Sequence, residues 1–241
     1  MRSRASHVRG SMVSCFGVVG VCAPAWAARR ISIGVGIVAL LTLHAGAHAQ
    51  SSTMDQNHGL FGLDRFDENE AHGIFSRPNQ KRVDYAVLLT MTGTAIWEGT
   101  SSPVGKAMWQ SIDASLATGL SVQALKYITS RPRPDQNPDP RVWFQGPGNM
   151  SFPSGETALM SAFATPLILN FHDDYPAVWG LALLPLYMGK ARMASQGHWL
   201  TDVVAGAALG AGMGYLAYRE DQPFVLRITG NGVYAGLKVK F

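Results

Sequence analysis

Cysteine is nearly absent from this 241-residue chain: Cys15 and Cys22 are the two it has, and none follows. From residue 50 onward disulfides cannot hold the fold, and a thiolate zinc site is excluded. No HExxH, DxD or Cys/His cluster points to another metal. Acidic residues are missing from positions 1–49, which carry Arg2, Arg4, Arg9, Arg29 and Arg30. Setting those five aside leaves 15 basic against 16 acidic side chains, so the formal charge of +4 belongs to the leader and the rest is near neutral. A general nucleic-acid surface is thereby excluded. From residue 50 onward, long uncharged runs are lacking too. Stretches 203–218 and 175–189 number 16 and 15 residues, the second interrupted by Pro176 and Pro185. A membrane-spanning helix needs about 20 apolar residues. Core helices of a soluble or surface-bound domain fit these lengths better.

What is present begins with an export signal. Arg29 and Arg30 precede the apolar run ISIGVGIVALLTL, and Ala47-His48-Ala49 follows as a small-x-small cleavage site. Residues 1–49 therefore read as a signal peptide cut after Ala49, which predicts a periplasmic or envelope-associated bacterial protein. Residues 50–82 are polar and irregular and read as an N-terminal arm. Residues 83–219 read as one helical domain, long enough for a core, with helices over 85–97, 106–126, 157–171, 177–192 and 200–218. Gly206, Gly210 and Gly214 recur every four residues, giving a smooth face for close backbone approach, either in membrane helix pairing or in core packing. Residues 220–241 change period. FVLRIT and VYAGLKVKF alternate around Gly230-Asn231-Gly232, the signature of a β-hairpin. One hairpin cannot close a barrel, so it is expected to pack on the helices.

Three stretches carry chemistry. In Lys126-Tyr-Ile-Thr-Ser-Arg-Pro-Arg133-Pro134, the prolines predict a helix that stops near Lys126, with Arg133 on the extended segment beyond. In Phe152-Pro-Ser-Gly-Glu-Thr157, Ser154 is a good helix N-cap and Gly155 leaves first-turn N–H groups open to an anion. In Arg192-Met-Ala-Ser-Gln-Gly-His198-Trp-Leu-Thr-Asp202, His198 and Asp202 stand four apart, neighbours if helical. A carboxylate on one imidazole nitrogen fixes the tautomer and leaves the other as nucleophile. Each stretch alone also reads more plainly, as a basic helix end, an ordinary cap or a structural histidine. Together they supply three cations, a helix start and an oriented imidazole. That equipment suits phosphoryl transfer, whose transition state spreads charge over three equatorial oxygens.

Order and spacing resemble the type 2 phosphatidic acid phosphatase and vanadium haloperoxidase superfamily. Its pattern is Lys, six residues, Arg-Pro; then Pro-Ser-Gly-His; then Ser-Arg, five residues, His, three residues, Asp. Lys126, Arg133-Pro134, Pro153-Ser154-Gly155, Arg192, His198 and Asp202 match it over roughly residues 106–218. The resemblance implies an all-α helical bundle, here with a short C-terminal β-hairpin, and a phosphatase acting on phosphate monoesters or lipid phosphates without metal or other cofactor. It implies that Lys126, Arg133, Arg192, Ser154 and the Gly155 N–H hold the phosphate, that His198 is phosphorylated and that Asp202 orients it. Partners are then a phosphorylated small molecule or lipid. Association with a membrane surface and oligomeric state are left open. A vanadate-dependent haloperoxidase and a non-catalytic phosphate-binding envelope protein are the alternatives.

Two positions depart from the pattern. Ala191 stands for the Ser before Arg192, and Glu156 for the His that in the family protonates the leaving group. A helix start lowers a carboxylic acid's pKa by up to about 1 kcal/mol. A phosphate charge about 5 Å away opposes ionisation by roughly 3 kcal/mol at an effective dielectric of 20, about two pK units upward. With substrate bound, and before nearby cations screen its charge, Glu156 is accordingly expected as a general acid active mainly at acidic pH, with dipole compensation as its plainer role. His172 is a weaker substitute acid, and Arg131 a substitute for Arg133.

Overall fold

A computed structural model describes residues 59, 62–65, 71–220, 226–229 and 232–235. The expected signal peptide, with both cysteines, lies outside them. Five α-helices make up the described domain: α1 (Arg77–Glu98), α2 (Pro103–Thr129), α3 (Gly155–Phe171), α4 (Leu183–Ala194) and α5 (Leu200–Arg219).

Helix α1 begins eight residues before the apolar periodicity does. Its first two turns, RPNQKRVD, are largely polar, so no hydrophobic stripe marks them; Ser76 in extended conformation and Pro78 near the N-terminus start the helix. Gly99, at φ 65°, ends it. Helix α2 starts where Ser102 Oγ accepts from Gly105 N at 2.9 Å, with Pro103 in the first turn. It stops at Thr129, where Ser130 turns left-handed (φ 39°) ahead of the two prolines. The stretch expected as one helix over 177–192 is instead a 3-10 segment, Pro176–Ala182, followed by α4. Pro176 fixes the start of the first piece, and Gly180 and Pro185 weaken a continuous α-ladder.

The core has Met91 and Ala95 of α1, Trp109 and Ile112 of α2, and Phe163 and Leu167 of α3 in one cluster. Each large apolar side chain so buried contributes about 1.5–3 kcal/mol. Trp109 also donates from Nε1 to the Ala95 carbonyl at 3.1 Å. Helix α3 packs most extensively on α5 and α2. The glycine stripe of α5 faces α3: side chains at Gly206 and Gly210 would overlap the carbonyls of Ser154 and Ala158, and one at Gly214 would come within 2.7 Å of Thr165 Cβ. Close core packing thus accounts for the spacing. Helix α5 is nonetheless long and apolar enough to cross a membrane by length and composition. Beyond it, Leu226–Thr229 and Gly232–Ala235 pair antiparallel with Leu226 opposite Ala235 and Thr229 opposite Gly232. The other residues of the expected 220–241 hairpin, Glu220 apart, lie outside the described set.

Candidate active site

The ends of four helices converge. Lys126 lies in the last turn of α2, buried, and donates from Nζ to the Met150 carbonyl at 2.5 Å. A side chain at Gly155 would come within 3.9 Å of Lys126 Cε and 3.3 Å of Val122 Cγ1, so the bare start of α3 sits against the lysine. Ser154 turns its Oγ to Thr157 Oγ1 at 2.9 Å and caps no backbone N–H, the reverse of the expected cap. The first-turn N–H groups of α3 have no intrahelical partner.

Arg192 ends α4, and its guanidinium occupies the space a side chain at Gly197 would need. Its charge and that of half-buried Arg133 both act on Lys126. Burial first, and then Arg133, bring the lysine down to about 8, against the attraction of Asp202. Burial, and repulsion from Arg77 and Arg133, also lower Arg192. The three cations expected to share one pocket are therefore within electrostatic reach of one another.

His198 lies between α4 and α5, 4% exposed, with Nδ1 3.7 Å from Asp202 Oδ2. That is an ion-pair distance, longer than a hydrogen bond, and Nδ1 has no hydrogen-bond partner. Asp202 is already engaged. Its Oδ2 accepts from Trp199 N at 2.9 Å and from Ser151 Oγ, and its Oδ1 from Arg131 Nη1 at 2.6 Å. Burial would raise the Asp202 pKa, but His198, Arg131 and Ser151 together hold it below the usual range. Burial pushes His198 down to about 4, outweighing Asp202, with Lys126 and Arg192 adding to the fall. The imidazole is thus neutral at neutral pH, as a nucleophile must be.

Glu156 departs from expectation. Arg77 of α1 grips it with both nitrogens, at 2.5 and 2.6 Å, and Arg192 Nε stands 3.4 Å from its Oε2. Burial favours the neutral form, but Arg77 and Arg192 outweigh it and hold the pKa below its ordinary value. An acid for the leaving group needs the opposite shift. The upward pull of a bound phosphate would act against these two guanidiniums. Gln80 Oε1 accepts from both Arg77 (2.7 Å) and Arg192 (3.3 Å), tying the pair together. Asp84, close enough to feel Glu156, Arg77 and Arg192, is pushed up to about 6, by burial first and Glu156 second.

The remaining substitutes sort clearly. His172 pairs with Asp173 at 3.0 Å and lies near the Trp179 ring, neither of them part of this cluster. Arg131 is fully buried between carboxylates, so Arg133 and not Arg131 is left to face an anion. Among the tryptophans, Trp109 and Trp199 are buried, Trp143 stacks on Arg131 and Trp97 is exposed. The sequence reading missed Arg77, Gln80, Ser151 and Asp64. Arg77 and Gln80 sat in the arm read as irregular, where Pro78 was the available signal of a helix start.

Residues 108–224 match the model of the PAP2 superfamily. A lipid A 1-phosphatase of Porphyromonas gingivalis is 33% identical over 132 residues, 54% of this chain and 27% of that protein. The chain thus spans just over a quarter of the length of that curated relative. The crystal structure of Aquifex aeolicus LpxE superposes with a TM-score of 0.47 at 21% identity, covering 63% of this chain and 90% of that one.

Proposed function

We propose that this PAP2 superfamily chain hydrolyses phosphate monoesters carried on lipids, with His198 as the nucleophile. The observation that carries the reading is the gathering of Lys126, Arg133 and Arg192 around the start of α3, beside a neutral imidazole whose Nδ1 faces Asp202. Like charges so placed repel unless an anion joins them. In the reaction His198 Nε2 attacks phosphorus, the P–N bond forming as the ester P–O bond breaks. The three cations and the α3 N–H groups take up the charge on the equatorial oxygens. Asp202 stabilises the positive ring. The departing oxygen takes up a proton, for which Asp84 is the better source because Glu156 is committed to Arg77. Water then attacks the phosphohistidine, its proton passing to ionised Asp84 as the P–N bond breaks, which releases phosphate and restores neutral His198 and protonated Asp84.

A lipid substrate is supported by the surface. Between Lys106 and Lys126, α2 carries one charge, Asp113, and that is buried. Its outer face bears Leu116, Leu120, Tyr127 and Ile128, and that of α1 bears Tyr85, Leu88, Leu89, Ile96 and Trp97, all exposed. Large apolar side chains exposed in this number along two helices are what a lipid or partner face presents. With the leader at 1–49, this supports an exported protein at the envelope. The similarity to a lipid A 1-phosphatase points the same way.

The test is phosphate release from lipid A and phosphatidic acid in vesicles, and from soluble monoesters, by wild type and His198→Ala. Lipid-selective release lost in the variant, with acid-labile label trapped on wild type alone, is expected; equal release by both proteins would end the reading. Because Glu156 is paired with Arg77 where the family has a proton-donating His, a second reading is a phosphate-binding protein without turnover. Tight stoichiometric binding of inorganic phosphate with no release from any ester would establish it instead.

A further inference from the structure

We infer that Asp64 and Arg131 form a buried positioning chain that sets the charge Asp202 presents to His198. Asp64 lies outside the family-matched residues 108–224, on the segment before α1, yet it is fully buried. Its Oδ1 accepts from Thr201 N at 2.8 Å and its Oδ2 from Thr201 Oγ1 at 2.7 Å. In this way it caps α5 from across the chain. The same Oδ2 accepts from Arg131 Nη2 at 2.7 Å, and the Pro140 carbonyl accepts from that nitrogen at 2.7 Å. Arg131 Nη1 donates to Thr201 Oγ1 at 2.9 Å and to Asp202 Oδ1 at 2.6 Å. Trp143 and Trp199 cover the guanidinium, 4.3 and 5.4 Å from its carbon to the ring centroids. One fixed cation thus sits between two carboxylates, with no exposed atom in any of the three side chains.

The electrostatics follow from that order. Arg131 alone on Asp202 would draw the carboxylate's charge away from the imidazole. Asp64 on the far side offsets the guanidinium, so Asp202 keeps more of its charge for the ring. At low dielectric such an offset is felt well beyond contact distance. The charged groups acting on His198 from the packed elements are Asp202 of α5, Lys126 of α2, Arg192 of α4 and Glu156 of α3. Three of these sit at the substrate end, and Asp202 is the one that Asp64 reaches, through Arg131. The inference rests on His198 acting as proposed above.

The experiment compares Asp64→Asn, Asp64→Glu and His198→Ala on the same lipid phosphate, recording kcat, KM and the pH profile. Asp64→Asn keeps shape and loses charge. It should lower kcat roughly 10- to 100-fold, the scale seen when groups orienting a histidine are lost, with KM within twofold and the acid limb moved to lower pH. Asp64→Glu should regain most of both. Wild-type kcat and acid limb in Asp64→Asn, or equal impairment in Asp64→Glu, would overturn the inference while leaving the His198 reading intact. Full activity in His198→Ala would end that reading first. Should Asp64→Asn not fold by near-ultraviolet circular dichroism, Asp64→Ser is read against the same outcomes.

Discussion

Two carboxylates border the same pocket and are held in opposite ways. Asp202 has no exposed atom and is gripped by Arg131, Ser151 and the Trp199 N–H. Glu156 is a quarter exposed and pairs with Arg77, itself 40% exposed. Buried and over-determined, the first cannot change partner without breaking the fold. The second is an ion pair at the rim, within reach of water and of any arriving anion. The contrast separates fixed machinery at the histidine from an exchangeable contact at the leaving-group side.

The largest expected effect is on stability. Removing Arg131 strands Asp64 and Asp202 as buried, unbalanced charges, which costs about 3–5 kcal/mol when one partner of a buried pair is lost. Arg131→Ala should therefore lower Tm by about 10 °C, given roughly 2–4 °C per kcal/mol for a chain of this size. Arg77→Ala, at the screened rim, should cost less than about 1 kcal/mol. Equal Tm losses in the two variants, measured side by side, would erase the contrast between core and rim.

The next effect is on pH dependence. The nucleophile must be neutral, and His198 is depressed to about 4, so the acid limb of kcat/KM falls near 4 and not near the ordinary 6.5. Lys126 must be charged, and it is depressed to about 8, so activity falls as pH rises through 8. For a good leaving group, which needs no proton from Asp84, a plateau between those values is expected once the substrate's own second ionisation at about pH 6 is divided out. For a poor leaving group activity falls from about 6, where Asp84 loses its proton. A basic limb unmoved in Lys126→Arg would detach Lys126 from the site.

How much of this was legible in the sequence follows the same division. Helices α2, α3 and α5 showed because apolar spacing and Pro or Gly punctuation bracket them. Lys126, Arg133, Arg192 and the His198–Asp202 pair showed because their spacing is local. What stayed hidden is set by long-range contact. Asp64 meets Thr201 across 137 positions and Arg77 meets Glu156 across 79. No periodicity encodes either. The polar first turns of α1 hid the helix that carries Arg77, and with it the reason Glu156 is ionised. The balance of helix dipole against bound phosphate holds before nearby cations are counted, and Arg77 and Arg192 are those cations.

The smallest expected effect decides what Glu156 does. Arg77 and Arg192 hold its pKa below the ordinary value, which leaves it a poor proton donor at neutral pH. Glu156→Gln should then leave turnover within a few-fold of wild type on substrates with poor and good leaving groups alike. Asp84→Asn should slow the poor leaving group selectively, because a general acid contributes about 10²- to 10⁴-fold only where departure needs a proton. Both variants are measured on an alkyl and an aryl phosphate of matched chain length. If Glu156→Gln, and not Asp84→Asn, is selective against the alkyl ester, Arg77 must release Glu156 when substrate binds. The rim would then be as much a part of the machinery as the buried side.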